Sequence, residues 1–385
     1  MTKAKGLEFL REQGKTIRLG IVGCGDVTRS RHLPALRRVP DVKVTALADV
    51  DSLRLERVAD RFGVARRYTD YRELIAAEDV DAISVCVPPQ HHVSVAVAAI
   101  EAEKHVFVEK PLALSLEECD LLQIRAASHD KLKVMVGFNL RGHRLVREAV
   151  AIIRSGDLGD IKLVRTVFTS GVRKLSDYAD WRRQSQTGGG ALFELGVHHF
   201  DLLRFLFDRE VEEVYAASQA GEETAVVMAQ MNGGLNVLAA FSEGTVENHE
   251  IEIYGERGRL RVTCYRADGL EQFGAGLYPG AIGARLRGLV RTLRDVPRLI
   301  WQSRQGGDYV ASYVEEWRHF INAITGDRRI ACTLADGRNA LAIALAAREA
   351  IATKRAVRPS LTAQTVAADE TRSRGVEVAS GVSQN

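Results

Sequence analysis

From Ile17 to about Phe138, short runs of β-branched and apolar residues alternate with stretches in which apolar residues recur every three to four positions. The runs are TIRLGIVG, VKVTALAD, VDAISVCVPP, HVFVEKP and KVMVGFN. Between them lie a stretch to Leu36, SLRLERVADRF, His91 to Ala102 and Leu116 to Ala127. Short apolar runs mark strands and a 3.6-residue period marks helices. Their alternation predicts βαβ units around a parallel sheet of roughly five strands. Residues 16–138 thus read as one doubly wound nucleotide-binding domain.

After a helix ending at Gly156, the runs KLVRTVFTS, VEEVYAASQ, TAVVMAQM, LNVLAAFS, HEIEIYG and RLRVTCY follow one another with short turns. With little helix between them they predict an open, mostly antiparallel sheet. Helices Val314 to Ile324 and Ala335 to Ala352 close this part. The fold class expected is α/β: an N-terminal Rossmann domain, then a C-terminal α+β domain over 139–358. An arginine-rich insert occupies about 270–308, where Arg285, Arg287, Arg291, Arg294, Arg298 and Arg304 face a single acid, Asp295. Leu286, Leu289, Leu293 and Val296 stand there at helical spacing, and Pro297 should kink or end the helix. We expect it to pack against protein, its own or a neighbour's; an anionic substrate group or a lipid surface are the alternatives. The polar stretch 360–385 reads as a mobile tail.

A chain of 385 residues can bury a large core without staples, and its formal charge of +3 creates no field that demands nucleic acid. No apolar run approaches the roughly 18 residues of a membrane span, and MTKAKGLEFLREQGK carries charges where a signal peptide needs an apolar stretch. The five cysteines are scattered and form no C-x-x-C, so neither zinc nor a redox pair is indicated. Reduced thiols in the cytoplasm are the expectation.

The candidate chemistry sits at strand ends. Gly23-Cys24-Gly25-Asp26-Val27-Thr28 follows the first strand and opens a helix, where a tight turn and helix N–H groups can meet a pyrophosphate. Thr28 stands where a third glycine is usual. Asp49 ends the second strand at the place of the acid that accepts a ribose 2′-OH, with Asp51 as the alternative. A carboxylate there repels a 2′-phosphate, so NAD is expected over NADP. Pro88 to His92 and Glu109-Lys110-Pro111 end the next two strands at the ligand-binding edge, which makes Pro88, His92 and Glu109 candidates for the cofactor and Lys110 for the substrate. Gly188 to Gly190 permit close backbone approach, and Glu194, His198 and Asp201 then follow at i, i+4, i+7 on one helix face. His199 lies off that face and reads as structural.

GIVGCGDVTRSRHLPAL, ADVD, PPQHHVSVAVAAIEAEKHVFVEKPLALS, GFNLRGH, DWRRQSQTGGGALFELGVHHFD and FINAITGDRRIACTLADGRNALAIALAARE together resemble the glucose-fructose oxidoreductase / inositol dehydrogenase / MocA family, over residues 16 to 357. The resemblance implies NAD(P)-dependent redox chemistry on sugars or cyclitols, and an open sheet that shields the nicotinamide and builds a homodimer or homotetramer. Lys110 and His198 match the family's lysine and histidine; Glu194 stands where an aspartate is usual, and Arg144 where a proline commonly follows N-x-R. Asn139, Arg141, Trp181 and Arg182 match substrate-pocket positions.

The reading is a cytoplasmic NAD-dependent dehydrogenase of a secondary hydroxyl on a sugar, glycoside or cyclitol. His198 takes the proton, Lys110 polarises the oxygen and Glu194 orients, although either Lys110 or His198 can be the base. An NAD-dependent glycosidase with internal redox recycling and an NAD or sugar sensor are the alternatives.

Overall fold

The computed structural model describes residues 16–171, 179–219, 223–266, 268–276, 307–326 and 328–361, with 282, 283, 286, 290, 293 and 296. The first part holds β1 (Ile17–Val22), α1 (Leu33–Leu36), β2 (Val42–Ala48), α2 (Ser52–Phe62), β3 (Arg66–Tyr68), α3 (Tyr71–Ala76), β4 (Ala82–Val85), α4 (His92–Glu101), β5 (His105–Glu109), α5 (Leu116–Ala127) and β6 (Val134–Gly137). The sheet is parallel, in the order β3-β2-β1-β4-β5-β6. Six strands stand where five were expected. The extra one, β3, is a three-residue edge strand carrying Arg66 and Arg67 and so leaves no apolar run to read. The central strands are buried on both faces, as a parallel sheet covered by helices requires.

The second part follows with α6 (Arg144–Arg154), β7 (Ile161–Thr169), α7 (Val197–Phe207), β8 (Val211–Ser218), β9 (Thr224–Met231), β10 (Leu235–Ser242), β11 (Asn248–Gly255), β12 (Gly258–Thr263), β13 (Leu270–Gly274), α8 (Gly307–Thr325) and α9 (Leu334–Thr353). Its seven strands run β13-β12-β11-β7-β10-β9-β8, all antiparallel except the β7–β10 pair. Burial alternates residue by residue along β9 and β10, so one face packs on α7 and α9 and the other stays open. On the open face Tyr215, Val226, Met228 and Leu238 are exposed.

Two expectations shift here. Residues 270–274, counted with the insert, form the edge strand β13; most of the insert and the stretch from 362 onward lie outside the described residues. Helix α8 starts at Gly307, seven residues before the expected Val314. Asp308, Ser312 and Glu316 face inward along it, so polar residues interrupt the apolar period. From there Trp317 stacks on Phe107 of β5 with ring centroids 4.4 Å apart, locking the second part onto the first sheet.

Candidate active site

The turn after β1 is built for close approach. Gly23 has φ +99°, and a Cβ there would collide with the Cys86 carbonyl, whereas one on Gly25 would meet nothing within 4 Å. Buried Thr28 donates its Oγ1–H to the Gly23 carbonyl at 2.6 Å, so the residue that replaces the third glycine clamps the turn from below. The chain then winds through a π-helical turn, Thr28–His32, into α1. Asp26 is exposed and pairs with Arg29 at 2.9 Å, and Val27 is half-buried. Asp49 accepts from the Cys24 N–H at 2.7 Å and from the Asp51 N–H at 2.9 Å, while Asp51 caps α2 and pairs with Arg54. Of the two acids, Asp49 therefore faces the turn. Arg54 Nη1 comes back to 3.8 Å from Asp49. Open space over Gly25 at the start of a helix fits a dinucleotide pyrophosphate.

The strand-end lysine meets the glycine-rich segment. Lys110 Nζ donates to the Glu194 carbonyl at 3.2 Å and to its Oε2 at 3.4 Å. Arg182 grips the same carboxylate with two bonds, Nη2 to Oε2 at 2.8 Å and Nε to Oε1 at 3.2 Å, and lies over the half-buried Trp181 ring. Burial opposes the charge on Glu194, but Arg182 and Lys110 outweigh it and hold its pKa at about 2. The approach depends on glycine, since a Cβ on Gly189 would collide with the Arg182 backbone. Residues Leu192–Gly196 form a π-helical turn ahead of α7, so the expected regular α-helical face is broken between Glu194 and His198.

His198 is 8% exposed, edge-on to Phe138 and tilted against Phe168. Burial and the neighbouring Lys110 charge hold its pKa well below the ordinary histidine value, so the ring is neutral. Its Nδ1 is buried and has no hydrogen-bond partner among the described residues. His199 is braced instead, by the Thr166 hydroxyl on one nitrogen and by His249 at 2.9 Å on the other. Phe138 and Phe168 had no sequence signal beyond ordinary strand alternation.

Five residues expected at the ligand have partners within the protein. Asp201 turns from Glu194 and His198 to Arg141, which binds it at 2.8 Å and also reaches Asp336 at 3.1 Å. The charges of Arg141 and Asp201 are thus spent on each other, tying α7 to α9. Asn139, 2% exposed, donates to Ser312 of α8 at 2.8 Å. His92 is 1% exposed, with its ring nitrogens 2.8 Å from the carbonyls of Pro111 and Val87, which ties the two loops together. Glu109 bonds His32 at 2.8 Å and the Lys110 N–H at 3.1 Å. Pro88 stays half-buried at the strand edge, and Arg144 pairs with Asp308 at 2.7 Å.

A doubly wound sheet with a glycine turn at β1, an acid ending β2 and a lysine–histidine pair at the carboxyl edge defines a dinucleotide-binding oxidoreductase. The chain belongs to the oxidoreductase family with an NAD-binding Rossmann fold, whose model matches residues 17–138, and the family's C-terminal alpha/beta domain matches residues 150–358. It is 28% identical to the myo-inositol 2-dehydrogenase of Thermotoga maritima, over 89% of this chain and 98% of that protein. It is 31% identical to a dTDP-3,4-didehydro-2,6-dideoxy-alpha-D-glucose 3-reductase of Saccharopolyspora spinosa, over 64% and 75%. Among solved structures, a probable dehydrogenase from Thermotoga maritima superposes with a TM-score of 0.71 at 26% identity, over 89% of this chain and 98% of that one. No helix among the described residues is long and apolar enough to cross a membrane.

Proposed function

We propose that this protein oxidises a secondary hydroxyl of a sugar, glycoside or cyclitol to a ketone with NAD, or runs the reverse reduction. The observation that carries this reading is Lys110 bonded to Glu194 at the carboxyl edge of the sheet, close enough for its charge to act on the buried, neutral and incompletely partnered His198. The inositol dehydrogenase and sugar reductase among its relatives support the substrate class. Residues 16–138 hold the cofactor and 139–358 build the substrate side. Gly23, Gly25, Asp26, Val27 and Thr28 hold the pyrophosphate, Asp49 the ribose diol, and Pro88 lines the strand edge. When bound, NAD accepts the hydride.

His198 takes the hydroxyl proton, and Lys110 polarises the oxygen. Glu194, pinned by Arg182, sets where the Lys110 ammonium points. Trp181 lines the pocket beside Arg182, while Arg141, Asp201 and Asn139 keep its walls in place. Because the His198 ring is neutral and Lys110 spends a donor bond on the Glu194 carboxylate, the base role falls to His198.

Asp49 disfavours a 2′-phosphate and makes NAD the preferred cofactor, with Arg54 tempering the discrimination. Titrating both cofactors should show tighter binding of NAD, and Asp49→Ala should narrow the gap by roughly fivefold, about 1 kcal/mol; tighter binding of NADP by the unmodified protein contradicts the assignment. The exposed apolar residues of the open sheet face, around a shallow groove of 310 Å³, support a homodimer or homotetramer. Five buried free thiols support a cytoplasmic location. A panel of sugars, glycosides and cyclitols followed by NADH absorbance tests the reaction. Glycosidic cleavage without net NADH, or binding without turnover, would refute it.

A further inference from the structure

The aromatic rings behind His198 continue beyond the catalytic pair. Phe168 packs against His198 and stacks on His249 at 4.2 Å between centroids; His249 meets Tyr265 at 5.5 Å, and Tyr265 meets Tyr309 at 5.9 Å. A chain of ring contacts thus links the proposed base, through the buried Phe168 and His249 of β7 and β11, to the first turn of α8. Tyr265 is 42% exposed and Tyr309 is partly so, leaving ring surface at that end for a ligand. Aromatic faces of this kind suit the C–H faces of sugars.

At the far end stands Arg31. It lies in the π-helical turn after the cofactor loop, half-buried, with its guanidinium 5.3 Å from the Tyr309 ring centroid. Its neighbour Arg29 turns back to Asp26, whereas Arg31 reaches across to the second part of the molecule. No carboxylate among the described residues pairs with it. Arg141, Arg144, Arg182 and Arg204, at comparable or deeper burial, each grip at least one acid. A partly desolvated guanidinium held only over a ring keeps its planar donor fork available, a geometry matched to carboxylate or phosphate oxygens.

We infer that Arg31, set over Tyr309 and beside Tyr265, recognises an anionic group, a carboxylate or phosphate, carried by the substrate at the end opposite the reacting hydroxyl. This rests on the dehydrogenase reading above and narrows its substrate class to acidic or phosphorylated sugars and cyclitols. The cofactor pyrophosphate is the competing source of the same chemistry, and the test separates the two.

The test compares the full-length protein with Arg31→Met and Arg31→Lys on matched pairs: glucose with glucuronate and glucose 1-phosphate, and myo-inositol with an inositol monophosphate. NADH formation gives KM and kcat, and calorimetry on the NAD-loaded protein gives sugar binding independently of turnover. The unmodified protein should favour an anionic member over its neutral partner by at least about tenfold in KM or Kd. Arg31→Met should remove that preference with the Kd for NAD within about twofold, and Arg31→Lys should restore part of it. Neutral sugars preferred by the unmodified protein, or absence of binding to every sugar on the panel, would overturn the inference. A tenfold or greater loss of NAD affinity in Arg31→Met, with sugar selectivity intact, would assign Arg31 to the cofactor and overturn it too. Arg31-dependent binding of the anionic members without turnover would support the recognition site while refuting the dehydrogenase reading.

Discussion

Two buried histidines, His32 and His198, stand near the end of β5, each with a glutamate in its surroundings, and they are used in opposite ways. At His32 both ring nitrogens are committed: Nε2 to Glu109 at 2.8 Å, and Nδ1 to the Trp317 indole N–H at 3.0 Å. An indole can only donate, so Nδ1 carries the lone pair and Nε2 carries the proton. Glu109 spends its other oxygen on the Lys110 N–H. At His198 the acid is taken by Arg182 and Lys110, and the ring keeps a buried nitrogen without a partner among the described residues. A buried polar group left incompletely paired costs stability. The difference teaches that proximity to a glutamate does not by itself brace a buried ring: His32 has both nitrogens bonded, whereas His198, like His143 and His249, keeps its Nδ1 without a partner among the described residues.

The largest expected effect comes from acid. His92, His198, His199 and His249 are all buried with pKa values held below the ordinary 6.5 by burial, His199 at about 3. A depressed folded-state value means that the unfolded chain binds the proton more readily. Their share of stability is therefore complete above pH 6.5 and is lost as pH falls toward the folded-state values. A group shifted as far as His199 loses about 2 kcal/mol by pH 5. Urea melts should show lower stability at pH 5 than at pH 7, offset in part by Glu316, whose buried carboxyl is held well above its ordinary value and so favours the fold as pH falls; higher stability at pH 5 would mean that these rings are not held neutral.

A smaller effect isolates the braced member. Trp317→Phe removes the indole donor and strands His32 Nδ1, at an expected cost of about 1–3 kcal/mol in stability, while hydride transfer stays within about threefold. A rate loss comparable to that from altering His198 would erase the distinction between the two histidines.

Much of the fold was legible because it is local. The turn from Gly23 to Thr28, Asp49 at the end of β2 and the Glu109-Lys110 strand end are each set by a few neighbouring residues and a strand beside them. The braces were not legible, because Asn139 finds Ser312, Arg141 finds Asp336 and Trp317 finds His32 across 170 or more positions of sequence. Helical spacing put Glu194, His198 and Asp201 on one face, but the π-helical turn at Leu192–Gly196 breaks that face between Glu194 and His198, and Arg141 takes up the Asp201 carboxylate. Arg31 carried no signal either, since an arginine in a helical stretch is ordinary until a ring from α8 is placed beneath it.

The most direct test of the central claim is stopped-flow hydride transfer in two variants of adjacent residues, His198→Asn and His199→Asn, using any substrate that the panel identifies. If the incompletely partnered ring is the base and its neighbour a brace, His198→Asn should slow the step by at least about a hundredfold, roughly 3 kcal/mol, with the Kd for NAD within about tenfold. His199→Asn should lower stability and leave the step within about fivefold. Near-normal transfer in His198→Asn, or equal losses in both variants, would contradict the account.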